Sequence, residues 1–216
     1  MTWRLAKGDE AVAVHEKILT LIKAEFGDQS RQYAAQLNNV AVVVKDQGRY
    51  PEADALYRDA LAIDADTVGT AHPDYAIGLN NLAGVVRDQG RYGEAEGLYR
   101  DALKIGADTI GTAHPDYATH LNNLASVVRA QGRYPEAEAL FRDALAIDAN
   151  TIGTAHPDYA TDLNNLGVNM AYQDKFPEAR ELLEQALAIL KVALPADHPD
   201  IASNEQSLAA VIAEID

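Results

Sequence analysis

The sequence contains no cysteine. A disulfide scaffold, a thiolate metal centre and a cysteine nucleophile are thereby excluded. Aromatic residues are scarce, 6% of 216 with Trp3 the only tryptophan, so aliphatic side chains must build most of any core. Trp3 itself is expected to cover the open amino-terminal end of that core. Basic side chains are outnumbered by acidic ones, 18 to 33, for a formal net charge of −15. A surface of that sign repels phosphate, which argues against nucleic acid and against anionic lipid as partners. No run approaches the ~18 consecutive apolar residues of a membrane span. The amino-terminal stretch MTWRLAKGDEAVAVHEKIL has no uninterrupted apolar segment of the signal-peptide kind. A membrane partner is therefore not expected, and the cytoplasm is the expected compartment. The patterns G-x-S-x-G, H-E-x-x-H, the P-loop and G-x-G-x-x-G are missing as well. Neither enzymatic activity nor a cofactor is expected.

What the chain does have is alanine, 39 of 216 residues, which favours helix, and a repeat. His-Pro-Asp recurs at His72, His114, His156 and His198, each 42 residues after the last, and paired asparagines recur at the same interval. The segments beginning at His72 and His114 are identical at 32 of 42 positions. Similarity at a fixed period means one packing unit used repeatedly.

Each unit reads as two helices. The first spans about Pro73 to Asp88, where Leu79, Leu82, Ala83 and Val86 have the i, i+3, i+4, i+7 spacing of an apolar stripe. Pro73 suits the first helical position, and Asp74 lies where the helix dipole favours an anion. Gly90 and Arg91 turn the chain into a second helix from about Gly93 to Asp108. Its stripe contains Ala95, Leu98, Tyr99, Ala102, Leu103 and Ile105. In this register the chain opens with a lone second helix (8–29), continues through full repeats at 30–71, 72–113, 114–155 and 156–197, and closes with a lone first helix (198–216). About ten helices result. The four recurrent histidines cannot converge on one metal, because successive repeats are displaced by roughly two helix widths of ~8–10 Å while ligand nitrogens must sit ~2 Å from a zinc. Capping of the first helices is the expected role. Acidic residues such as Glu94 and Glu96 are expected on the outer faces of second helices, as solvated charge.

The pattern Gly48-x-Tyr50-x-x-Ala53-x-x-x-Tyr57-x-x-Ala60-Leu61 resembles the second half of a tetratricopeptide repeat, with Leu37, Val40, Ala41 and Val44 at the family's first-helix core positions. The 42-residue period, with Leu-Asn-Asn-Leu-Ala, Gln-Gly-Arg-Tyr and His-Pro-Asp, resembles the kinesin light chain type. The last full repeat departs from it, with Asp174 for the turn glycine and Phe176 for the tyrosine. The resemblance implies an all-α fold: a single right-handed superhelical solenoid of antiparallel helix hairpins without an enzymatic centre. His-Pro-Asp is also the tripeptide of J-domain co-chaperones, but there it occurs once, in one loop.

Stacking would align equivalent positions into ladders on the first-helix wall away from the core, the concave groove in this architecture. One ladder is Asn38, Asn80, Asn122, Asn164. A second is Asn39, Asn81, Asn123, Asn165. A third is Lys45, Arg87, Arg129, ending at Ala171, beside the variable row Val42, Gly84, Ser126, Val168. Carboxamides both donate and accept, as an extended peptide backbone requires, and a row of cations selects carboxylates. The resemblance therefore implies a protein-interaction scaffold that binds an extended, acidic peptide at these asparagines and cations. Two structural roles stay open at this level: asparagines bonded to the neighbouring repeat, and cations paired with Asp46, Asp88 or acids of the next repeat. Two other functions also stay open. One is self-association through exposed terminal helices, since Ser207 to Ala213 is apolar for a cap. The other is a regulatory domain of a larger signalling protein.

Overall fold

The computed structural model describes residues 2–215, with side chains from Glu10 onward. Trp3 therefore lies outside the described side chains. Ten helices and no strand are found among the described residues: α1 (Thr2–Phe26), α2 (Arg31–Asp46), α3 (Tyr50–Thr67), α4 (Pro73–Asp88), α5 (Tyr92–Thr109), α6 (Pro115–Ala130), α7 (Tyr134–Thr151), α8 (Pro157–Ala171), α9 (Phe176–Ala193) and α10 (Pro199–Ala213). By its internal contacts the chain divides into two units, 1–109 and 110–216. Each is a stack of antiparallel hairpins, α2 with α3 and α4 with α5 in the first unit, α6 with α7 and α8 with α9 in the second.

The His-Pro-Asp tripeptide explains where the first helices begin. At His72, His114 and His156 the imidazole Nδ1 accepts the backbone N–H of the aspartate two residues on, at 3.1 Å each, and at His198 the distance is 3.3 Å. An otherwise orphaned N–H is satisfied, and the proline occupies the first turn, where its missing donor costs nothing. The same cap places the start of α10 at Pro199. In the first repeat Ser30 takes over, its Oγ accepting from the Tyr33 N–H at 3.2 Å.

The turn inside each hairpin needs one residue of positive φ. Gly48, Gly90 and Gly132 supply it at 76°, 77° and 78°, and Asp174 does so at 58° as the single non-glycine exception among the described residues. The left-handed region costs a residue with a Cβ ~1 kcal/mol or more. Asp174→Gly is expected to raise stability by ~0.5–1 kcal/mol, measured as a higher urea midpoint with unchanged slope.

Alanines are buried wherever helices cross: Ala53, Ala60, Ala41, Ala83, Ala95 and Ala102 in the first unit, Ala125, Ala137, Ala144, Ala179 and Ala186 in the second. Tyr57 and Tyr99, and Phe141 and Leu183, fill the space between them. Where Ala41, Ala83 and Ala125 stand in other repeats, the last has Gly167. A Cβ there would meet the Ala179 carbonyl oxygen at 3.2 Å and the Leu183 side chain at 2.9 Å. Gly167→Ala is therefore expected to destabilise by ~1–3 kcal/mol despite its better helix propensity. The same change from glycine at exposed Gly97, whose added Cβ meets nothing, is the control.

Candidate functional site

The expected recognition residues all lie on first helices, and within each unit they fall on the side away from the apolar stripe. In the first unit Asn38 donates from Nδ2 to the Ala34 carbonyl at 3.2 Å, while its Oδ1 is buried without a partner. Asn39 is exposed, with a long 3.4 Å contact to Gln36. Asn80, Asn81 and Lys45 are half-buried. Arg87, also half-buried, bonds the neighbouring Asp88 carboxylate through Nε at 3.1 Å and Nη2 at 2.9 Å. Gly84 beside it leaves the Tyr99 hydroxyl 3.6 Å from where a Cβ would sit. Asn38, Asn39 and Asn81 line one cavity of about 280 Å³ between α2 and α4.

The second unit uses the same register differently. Asn122 donates to the Asp162 carboxylate at 2.7 Å and accepts from Asn165 Nδ2 at 3.1 Å, so α6 is bonded to α8. Asn164 accepts from Asn204 of α10 at 3.0 Å. Asn122 and Asn164 thus hold neighbouring hairpins together. Asn123 is half-buried. Arg129 donates to the Asn165 carbonyl at 3.1 Å and lies 5.4 Å above the centre of the Phe141 ring, a cation–π contact. Ala171, where the basic row ends, helps line an apolar groove of about 390 Å³ with Val168, Tyr172 and Phe176 on one side and Ala210 and Val211 on the other.

The opposite faces carry ion pairs rather than idle charge. Asp54 binds both Arg58 of its own helix and Arg91 of the next hairpin, and Glu94 receives Arg58 and Arg91 in turn. Burial pushes the Asp54 carboxyl up, but the two guanidinium groups more than offset this and hold it below the usual carboxylate range. In the second unit Glu138 receives Arg142 and Lys175. Glu96 is buried against Arg100. The expectation of simple solvation for Glu94 and Glu96 is therefore corrected: long side chains on adjacent second helices reach one another, 36 or 37 residues apart in sequence.

Repeat arithmetic did not single out the acids of the inner surface. Asp64 on α3 is buried, and among the described residues none gives its carboxylate a hydrogen bond or ion pair. Its equivalent Asp148 on α7 faces Asp162 on α8, both buried, with Asp148 Oδ1 and Asp162 Oδ2 lacking any other partner. Burial, then the neighbouring Asp148 charge, pushes Asp162 up to about 8. The signal was in the positions that break the repeat: residues 64, 106 and 148 are Asp, Gly and Asp, and residues 36, 78, 120, 162 and 204 are Gln, Gly, His, Asp and Asn. Among the described residues no group of three or more His, Cys, Asp or Glu could hold a metal ion, and no helix is long and apolar enough to cross a membrane.

Comparison with known proteins agrees with this architecture. The family model described as tetratricopeptide repeat matches in four overlapping segments, 1–66, 33–108, 74–150 and 116–191. Among solved structures, BtubC (BKLC) from P. vanneervenii superposes with a TM-score of 0.76 at 23% identity, over 99% of this chain and 84% of that one. A Podosopora anserina protein of nearly identical TPR-like repeats, described as a kinesin light chain, gives a TM-score of 0.72 at 27% identity, over 86% and 88% of the two chains. A single-substitution form of that Podosopora anserina protein gives 0.73 at 26%, over 87% and 89%. No curated protein matches the chain. Proteins built from these repeats are in general non-catalytic scaffolds for protein–protein interaction. With capped helix hairpins recurring every 42 residues and a family match over nearly its whole length, the chain belongs to the tetratricopeptide repeat family, in its kinesin light chain-like form.

Proposed function

We propose that the chain is a protein-interaction module that binds an extended, acidic peptide along its first-helix faces. The observation that carries this reading is Arg87: a half-buried cation beside glycine and asparagines, in a molecule of net charge −15. Its bond to Asp88 is a solvent-accessible pair, of the kind that contributes only ~0–1 kcal/mol and is readily exchanged for a ligand carboxylate. Arg129 is the equivalent cation of the second unit. Asn39, Asn81 and Asn123 would bond the peptide backbone, and the small Gly84 and Ser126 leave room for its side chains. Asn122 and Asn164 act indirectly, by holding the hairpins that present the others.

The test compares peptides rich in Asp and Glu with their Asn and Gln counterparts by calorimetry at low and high salt. The acidic peptides are expected to bind more tightly, to weaken as salt rises, and to lose ~10-fold or more in the Arg87→Ala/Arg129→Ala variant, since a hydrogen bond to a charged group contributes ~1.5–3 kcal/mol. Equal binding by that variant, with helicity intact, would overturn the reading.

One observation favours self-association as a second reading. On α1, Ile18 and Leu21 are 38% and 69% exposed, whereas their equivalents Ala60 and Ile63 are 0% and 5% exposed against their own first helix. Self-association would appear as a mass that rises with concentration in sedimentation equilibrium and returns to monomer in Leu21→Glu. A constant monomeric mass at all concentrations is the outcome against it.

A further inference from the structure

α1 holds a second-helix place in the repeat register and packs against α2. Val12 is buried, and Leu19 packs against the cluster that contains Ala34 and Leu37. A different stripe of α1 faces solvent. Val14, Ile18 and Leu21 are 54%, 38% and 69% exposed, and with Ala11 they follow one another at intervals of three, four and three residues. That is the spacing of a seam between two paired helices.

Two features decide what fits this stripe. The first is Ile18. The other second helices carry Ala60, Ala102, Ala144 and Ala186 at that place, each 0% exposed. Ala60 closes on Ala34 and Leu37 of its own first helix, and the small side chain is what lets the hairpin come together. Isoleucine overfills such a crossing, so α1 does not suit a first helix at hairpin distance. It suits a helix standing farther off, with side chains interleaved. The second feature is charge. α1 contains four basic and four acidic residues, whereas α3 contains one basic against five acidic and α7 one against four. A chain of net charge −15 repels its own copies, and least of all at a neutral helix.

We propose that two copies of this chain pair about a two-fold axis through α1, antiparallel, with Ala11 of one copy against Leu21 of the other and Val14 against Ile18. A two-fold contact must complement itself. In this alignment each smaller side chain meets a larger one, as close packing requires. The axis falls beside Glu16 and Lys17, exposed charges of opposite sign. A parallel pair would set Leu21 on Leu21 and Ala11 on Ala11, crowding one end of the seam and leaving a gap at the other. The inference rests on the self-association reading and names the surface that each copy offers.

The experiment uses the full 216-residue chain, whose lack of cysteine lets one introduced thiol carry a spin label. Sedimentation equilibrium is run on the parent, Ile18→Ala and Ala209→Glu. Ile18→Ala restores the residue of the other second helices, and Ala209 is exposed on α10, so both variants are expected to keep the parent's helicity. The dimer dissociation constant is expected to rise ~10-fold or more in Ile18→Ala and to stay unchanged in Ala209→Glu. Salt is expected to tighten the pair by screening two acidic molecules from each other, the reverse of its effect on an acidic peptide. Distances between labels on the two copies are expected to be shortest at Lys17→Cys and longer at Glu10→Cys and Ala24→Cys. Equal distances at all three positions overturn the antiparallel pair. A monomer at every concentration overturns self-association and this contact with it. Association that tightens in Ile18→Ala and is lost in Ala209→Glu overturns the α1 pair but leaves self-association standing, as end-to-end stacking of α1 on α10 of a second copy. Equal association by all three proteins overturns the α1 pair as well.

Discussion

Replacing Asp162 with asparagine is expected to flatten the pH dependence of stability and to make the protein more stable at pH 8. Asp162 and Asp148 meet across the α7–α8 contact, with Asn122 of α6 donating to the other Asp162 oxygen at 2.7 Å. Two buried carboxylates in contact cannot both carry charge, so the pair retains a proton. Asp158 adds to the repulsion at both acids, His156 relieves it at Asp148, and the Asn122 hydrogen bond relieves it at Asp162. Because Asp162 titrates at about 8 in the fold and near ~4 when unfolded, the native state binds more protons than the unfolded chain between those values. Stability contributed by this site is therefore fully present below pH ~4, declines as pH rises and is lost above pH ~8. An amide at 162 can still bond Asn122 and can donate to Asp148, as Asn204 donates to Asn164 one repeat later. Urea unfolding of the parent and Asp162→Asn, followed by hydrogen exchange within residues 110–216, is the measurement. The curves are expected to converge below pH ~4 and to differ by ~2–4 kcal/mol at pH 8. Parallel pH profiles for the two proteins would show that the carboxyl pair does not share a proton.

Truncation of Phe141 is expected to produce the largest loss of stability among these substitutions, ~3–5 kcal/mol. The ring is fully buried at the place held by Tyr57 and Tyr99 in the first unit and by Leu183 in the last repeat. The alanines around it bring backbones too close for the cavity to collapse. Phe141→Ala also removes the ring beneath Arg129, 5.4 Å from its centre. Phe141→Tyr, which restores the side chain of two other repeats, is expected to remain within ~1.5 kcal/mol of the parent. The readout is the urea midpoint together with salt sensitivity of acidic peptide binding. If the alanine variant keeps its midpoint, packing in the second unit does not depend on this position as argued.

Much of the fold was legible in residues that repeat. The start of α4 at Pro73, the turn at Gly90 and the end of α4 at Asp88 follow from caps and spacing, which act over a few residues and do not depend on what packs nearby. The four histidines read as caps for the same reason, and the structure gives each the same bond. The asparagine rows were legible as rows but not in their roles. Asn38 and Asn122 are the same residue at the same place in the repeat, yet one has an orphaned carbonyl and the other bridges two helices.

By itself, then, the sequence determined the helices, their caps, the hairpin period and the alanine-lined crossings, because these depend on local stereochemistry and on apolar spacing repeated every 42 residues. Only the tertiary structure decided which polar groups are satisfied within the molecule and which are not. That outcome depends on a side chain one hairpin away: in the second unit Asp162 accepts from Asn122, whereas in the first the same place holds Gly78 and Asn38 donates to its own helix.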